Sequence, residues 1–444
     1  MPEGAAWGLL VRVPAQTKTA PLTTAQRLRS ILAGSVGNLV EWYDWYAYTV
    51  LALYFAPVFF PKGDAIAQQL DAAAIFAVGT LARPLGGLWL GRLSDRKGRK
   101  AGLLVSILLM CAGSLVIALT PGANRIGVAA PVILVLARLC QGLSVGGEFG
   151  ASATYMSEIA SAKNRGFWAS FQYCTLAGGQ ILALGVLLLL QHFLTEAELA
   201  AWGWRIPFVL GAVLALVGMV VRRAALETPV FEAMTVEPRR AWGAALLADP
   251  AALLTVIGIT AGGTIGFYSF TTYMQKYLAT SGHWSKPAAS GIVAVALLLY
   301  VLMQPLFGAL SDRIGRLNML LICGVLGVVF TVPLMAAIGA GTTRAGVLWP
   351  LMGALALISF VTSISGLVKA ELFSAPERAT GVAIGHSIGV ALFGGTTEWI
   401  ALWFKSIGHG PWFAWYVSAG FAALLLVAIT QRARIRRGRI EAVG

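Results

Sequence analysis

Residues 91–100 read GRLSDRKGRK, and residues 308–317 read GALSDRIGRL. Gly91, Ser94, Asp95, Arg96, Gly98 and Arg99 return as Gly308, Ser311, Asp312, Arg313, Gly315 and Arg316, each 217 residues later. Each copy is a short polar break between two long apolar stretches. A polar loop repeated at that interval marks duplicated membrane halves. That is the arrangement of secondary transporters, whose substrate site lies between the halves.

Composition agrees. Of 444 residues, 58% are hydrophobic and 12% charged, against about 25% charged in soluble domains. The chain reads as an all-α polytopic membrane protein with the bilayer as its main solvent. The net charge of +14 would suit nucleic acid, but the basic residues cluster at the ends of apolar segments, so no nucleic-acid partner is expected. Cys111, Cys140, Cys174 and Cys323 fall in apolar runs without CxxC spacing, and no histidine cluster has metal-ligand spacing. No metal, cofactor or catalytic group is expected, and the first 26 residues lack a cleavable signal pattern.

Twelve segments are long enough to span a hydrocarbon core, which needs ~20 helical residues. They lie near 30–56, 70–91, 101–120, 130–155, 166–192, 203–222, 251–277, 287–310, 317–339, 347–371, 380–405 and 411–431. The expected organisation is a disordered tail (1–29), a six-helix bundle (30–222), a linker with room for one surface helix (223–250), a second bundle (251–431) and a basic tail (432–444). Of the 33 lysines and arginines, 23 fall on one side of this topology and 6 on the other. Both termini and both repeated loops are therefore expected in the cytoplasm, with the chain in a bacterial inner membrane. A second repeat agrees: Glu158 and Arg165 bracket one loop, Glu371 and Arg378 another, 213 residues on.

The repeated loops resemble the signature G-x-L-x-D-R-x-G-R-[RK] of the major facilitator superfamily; the second copy ends in Leu317 instead of a base. GNLVEWYDWYAY (37–48), ARPLGG (82–87), RLCQGLSVGGEFGASATYMSE (138–158), SFQYCTLAGGQ (170–180), WGWRIPF (202–208) and KAELF (369–373) resemble its metabolite:proton symporter branch. The resemblance implies two pseudo-symmetric six-helix bundles working by alternating access, with no enzyme chemistry. It implies proton-coupled uptake of a small organic anion, first a dicarboxylate such as α-ketoglutarate. Itaconate, citrate, shikimate, an aromatic acid or a zwitterionic osmolyte are the alternatives. It also implies that Asp95, Arg96, Arg99, Asp312, Arg313, Arg316, Glu158, Arg165, Glu371 and Arg378 gate the cytoplasmic side. A monomer in lipid is the expected working unit.

An ionisable side chain inside a span costs ~2.5–3.5 kcal/mol or more and so faces protein or water. On the first helix Asn38, Glu41, Asp44, Trp45 and Tyr48 share an arc of about 120°, which predicts a stripe aimed inward. Asp44 or Glu41 is the expected proton site, with Glu148 next. By resemblance, Asp44 pairs with Arg138; a static ion pair is the plain alternative. Arg83 lies twelve residues before Asp95, ~18 Å along the helix, and suits a carboxylate bidentately. Arg83 and Arg138, with Gln172, Tyr173, Tyr268, Tyr273, Lys276 and Gln304, are the expected substrate contacts. Lys276 reads as a cation at the outer mouth, and Lys369 as one that snorkels to the interface. Since Arg83, Arg138, Glu41, Asp44 and Glu148 all precede the second repeat, the first half is expected to carry most of the coupling chemistry.

A dianion entering a cell negative inside is opposed by ~4.6 kcal/mol per 100 mV. Two co-transported protons cancel that charge, so proton symport is the expected mechanism.

Overall fold

The computed structural model describes residues 24–97, 99–146, 149–150, 153, 162–224, 249–282, 284–374 and 377–438. Eight helices among the described residues are long and apolar enough to cross a membrane. They are α2 (Ala65–Leu90), α5 (Arg165–Phe193), α7 (Pro250–Thr272), α8 (Lys286–Ile314), α9 (Arg316–Ala340), α10 (Arg344–Ala370), α11 (Arg378–Ser406) and α12 (Trp412–Thr430). Four more complete the set: α1 (Thr24–Phe59), α3 (Arg99–Leu119), α4 (Ala129–Val145) and α6 (Ile206–Ala224). Three of these contain shorter apolar stretches, at Leu104–Leu119, Ala129–Val145 and Gly203–Val217. The fold is two pseudo-symmetric six-helix bundles.

The packing repeats as the sequence does. In the first half α1 packs on α5, α2 on α4, and α3 on both α4 and α6. In the second half the equivalent pairs recur: α7 with α11, α8 with α10, and α9 with both α10 and α12. The halves meet along two seams, α5 against α8 and α2 against α11. Small residues on the facing sides let helix backbones approach closely in lipid.

Several details depart from the sequence reading. Helix α1 begins at Thr24, inside the segment expected to be a disordered tail. Residues Arg432–Arg437 of the basic tail form a short helix. The segment 225–248, most of the expected linker with its surface helix, lies outside the described residues.

Several helices are locally irregular, three of them near the interface of the halves. Helix α2 breaks at Ala82 and resumes at Arg83, because Pro84 has no N–H to donate and its ring crowds the carbonyl one turn back. Helices α7 and α11 each contain a π turn, at Tyr268–Thr272 and Val390–Gly394. Single π turns inside α-helices frequently mark functional sites.

Candidate functional site

The break in α2 puts Arg83 at the interface of the halves, buried to 1% exposure. Two glycines of the α4 segment set its position. A Cβ on Gly142 would lie 1.9 Å from the Gly79 carbonyl oxygen, and one on Gly146 would lie 1.9 Å from that of Arg83. Only glycine allows α4 to run this close, which brings Arg138 and Arg83 into one layer.

Both guanidiniums sit among aromatic rings. Arg138 lies 4.1 Å from the Trp45 centroid, 4.4 Å from Tyr48 and 5.1 Å from Phe76. Arg83 lies 5.4 Å from Trp45 and 5.3 Å from Trp42. Trp45 is thus shared by two buried cations. Among the described residues, Arg83 Nε and Nη1 and Arg138 Nε and Nη2 have no hydrogen-bond partner, and neither do Trp45 Nε1 and Tyr46 Oη. Unmade hydrogen bonds to buried charged groups are expensive. Every one of these six atoms can donate, so the cluster presents donors to its surroundings.

Asp44 and Arg138 do not touch as an ion pair. Gln141 stands between them: Arg138 Nη1 donates to Gln141 Oε1 at 2.8 Å, and Gln141 Nε2 donates to Asp44 Oδ2 at 2.7 Å. Ser114 of α3 donates to the other Asp44 oxygen. Asp44 therefore faces α3 and α4 inside the first bundle, and is 1% exposed. The single inward stripe on α1 splits: Asn38 donates to Thr175 of α5 at 2.8 Å, and Tyr48 donates to the Ala72 carbonyl of α2 at 2.9 Å. Glu41 is half-buried, and its Oε1 has no partner among the described residues. Glu148 lies outside the described residues.

The second half holds charges of its own. Lys276, expected at the outer mouth, is 1% exposed and ion-paired with Glu398 of α11. Glu398 Oε2 is buried without a partner among the described residues. Lys369, expected to snorkel, is also 1% exposed. It donates to Ser365 Oγ at 2.8 Å, and its Nζ lies 3.0 Å from His386 Nδ1. Helix α10 is the most enclosed of the eight long spans, which leaves Lys369 no route to the interface. Buried charged side chains are therefore not confined to the first half.

The polar candidates divide. Tyr268 (3% exposed) faces Arg83 and Trp45, and Tyr173 (4%) faces Ser365. Gln172 Nε2 donates to the Phe149 carbonyl at 3.3 Å. Gln304 is occupied within its own half, giving to Ser359 Oγ and accepting from Thr362, each at 3.0 Å. Tyr273 packs edge-on against Phe413 at 5.3 Å, away from the arginine layer.

At the end that carries the repeated loops, the seam is closed by backbone. Asp312 accepts from Gly166 N at 2.8 Å and from Phe167 N at 3.0 Å, so an acid of the second half caps the helix that opens the first half's α5. A carboxylate there meets both free N–H groups and the positive end of the helix dipole. Arg316 pairs with Asp312 at 3.0 Å and reaches Glu371 at 3.7 Å. Arg378 Nε donates to the Ala370 carbonyl at 3.2 Å, Arg165 lies near Glu371, and Arg313 is exposed. The side chains of Asp95, Arg96, Arg99 and Glu158 lie outside the described residues. At the opposite end Lys286 of α8 pairs with Glu196 at 2.5 Å, and Gln191 of α5 reaches Ser290 at 3.4 Å. Among the described residues, contacts therefore bridge the two halves at both ends of the interface.

The sequence reading gives no role to Gln141, nor to Glu398 and His386 within their spans, yet these three contact Arg138, Lys276 and Lys369. Gln141 carries a signal, because spacing of three on a helix puts it on the face of Arg138.

Comparison with known proteins gives the family. A profile described as sugar (and other) transporter matches residues 31–241. The α-ketoglutarate permease of Escherichia coli (strain K12) is 48% identical over 417 residues, covering 94% of this chain and 96% of that one. The glycine betaine/proline/ectoine/pipecolic acid transporter of Dickeya dadantii (strain 3937) is 34% identical, covering 85% and 77%. Among solved structures, a D-xylose–proton symporter superposes with a TM-score of 0.73 at 17% identity, covering 90% of this chain and 97% of that one. The chain is a multi-pass transporter of the major facilitator superfamily.

Proposed function

We propose that the chain carries a dicarboxylate, α-ketoglutarate, into the cell together with protons by alternating access. It does so as a monomer in the inner-membrane lipid, with both termini and both repeated loops in the cytoplasm. The observation that carries this reading is Arg83: 1% exposed, with Nε and Nη1 unpartnered among the described residues. A buried cation in that condition calls for an anionic ligand. The 48% identity to a protein named α-ketoglutarate permease supports the choice of anion.

The roles then divide. Arg83 clamps one substrate carboxylate. Asp44 carries a proton, since a buried acid binds a proton more readily as water leaves and less readily as a cation draws near. Gln141 passes any movement of Arg138 to Asp44 through two hydrogen bonds. The Asp312 cap and its Arg316 partner form the cytoplasmic gate.

A zwitterionic osmolyte fits less well. The box of Trp45, Tyr48 and Phe76 would suit a quaternary ammonium, but Arg138 already fills it.

Uptake of labelled α-ketoglutarate into proteoliposomes under an imposed pH gradient tests the reading. Accumulation that collapses with a protonophore is expected. Accumulation of proline or glycine betaine, with no uptake of or competition by α-ketoglutarate, would overturn it.

A further inference from the structure

Like Arg83 and Arg138, Lys369 is a deeply buried cation that pairs with no carboxylate among the described residues. Its contacts are Ser365 Oγ at 2.8 Å, His386 Nδ1 at 3.0 Å and the face of Phe149, whose centroid is 5.3 Å from Nζ. An ammonium group has only donors, so His386 Nδ1 must accept and the ring proton sits on Nε2. The imidazole is then neutral, and the pair carries one uncompensated positive charge. Two of the three ammonium hydrogens are engaged, leaving the third over the Phe149 ring.

The pair also lies on the seam between the halves. Lys369 and His386 belong to α10 and α11, whereas Phe149, stacked on His386, comes from the first half. The next residue, Ser387, donates to the Gly146 carbonyl at 3.2 Å. Gly146 is the residue whose Cα packs against the Arg83 carbonyl. The backbone of Arg83 and the helix turn that carries His386 thus both adjoin Gly146. Arg83 and the Lys369–His386 pair are each buried, and neither has an anion among the described residues.

We propose that Lys369, held by Ser365 and His386, binds the second carboxylate of the transported dicarboxylate, so that the substrate bridges Arg83 of the first half and Lys369 of the second. This rests on the dicarboxylate reading and deepens it. A substrate with two carboxylates bonds to both halves at once and draws them together; a monocarboxylate reaches only one. Discrimination between dicarboxylates and monocarboxylates then resides in the second half.

The test is counterflow in proteoliposomes, with inhibition by α-ketoglutarate compared with inhibition by 2-oxopentanoate, the keto acid of equal chain length with one carboxylate. Lys369→Gln is expected to weaken α-ketoglutarate about tenfold or more while leaving 2-oxopentanoate inhibition unchanged. Lys369→Arg should restore part of the preference. An unchanged preference in Lys369→Gln overturns the proposal, as does equal loss of both ligands in a correctly inserted protein. If Lys369→Gln fails to insert, Ser365→Ala is measured instead, and a preference equal to wild type overturns the proposal. Failure of the wild-type protein to transport α-ketoglutarate is a separate result that sinks the substrate reading itself.

Discussion

Lys276 of the α7 segment and Glu398 of α11 form an ion pair sealed from solvent, and each stands four residues beyond the π turn of its helix. The turns at Tyr268–Thr272 and Val390–Gly394 rotate the helical residues beyond them, which lets two charges on neighbouring helices meet inside the second bundle. Removing one partner leaves a buried lone charge, at about 3–5 kcal/mol. Glu398→Gln or Lys276→Met alone should therefore lower the thermal unfolding midpoint markedly. The double variant should recover most of the loss. Additive losses in the double variant would show that the pair is not energetically coupled.

Asp44→Asn should separate exchange from accumulation. The amide oxygen still accepts from Ser114, so counterflow is expected near the wild-type rate, whereas uphill uptake driven by a pH gradient is expected to vanish. Persistent uphill uptake would remove Asp44 from the coupling step.

Arg83→Lys keeps the charge but loses the planar fork. We expect the half-saturation concentration to rise by about tenfold or more, and Arg83→Ala to abolish measurable binding. Binding by Arg83→Ala within a factor of two of wild type would place the carboxylate elsewhere.

Asp312→Asn weakens both bonds to Gly166 N and Phe167 N, because charge-assisted hydrogen bonds are roughly twice as strong as neutral ones. A loss of about 1.4 kcal/mol shifts the closed-to-open ratio tenfold at the repeat-loop end. In a background lacking Cys111, Cys140, Cys174 and Cys323, a cysteine replacing buried Ser170 should then be alkylated faster. An unchanged alkylation rate would deny the cap a gating role.

Gly146→Ala tests the close approach of α4 to α2. The added methyl collides with the Arg83 carbonyl, so the helices must part and Arg83 must move. Transport should fall at least tenfold with the protein still folded. Full activity would mean that this spacing does not position the arginine.

The spans are legible in the sequence because hydropathy is local: ~20 apolar residues announce a helix wherever its neighbours lie. The repeated loops reveal the two halves for the same reason. Pairings between distant helices are not legible. Lys276 and Glu398 are 122 residues apart, and nothing in either neighbourhood names the other. Lys369 lies two residues before Glu371 and reads as interfacial; only the enclosure of α10 puts it in the interior. The polar arc on α1 misleads because that helix is surrounded by protein. A polar residue there can face any of several helices, and Asp44 turns toward α3 and α4. Gln141 is within reach, lying in the same R-x-x-Q-G segment as Arg138, but residue type alone does not say that an amide will separate an acid from a base.

In the proposed gate, Asp312 also makes water a reactant. When the seam opens at that end, the amide hydrogens of Gly166 and Phe167 lose their carboxylate and must be taken up by solvent, as must the carboxylate itself. Opening is then a hydration step with its own stoichiometry, set before any substrate arrives. Osmotic stress from a solute too large to enter the cleft should hold the carrier shut, with a slope that counts the waters admitted.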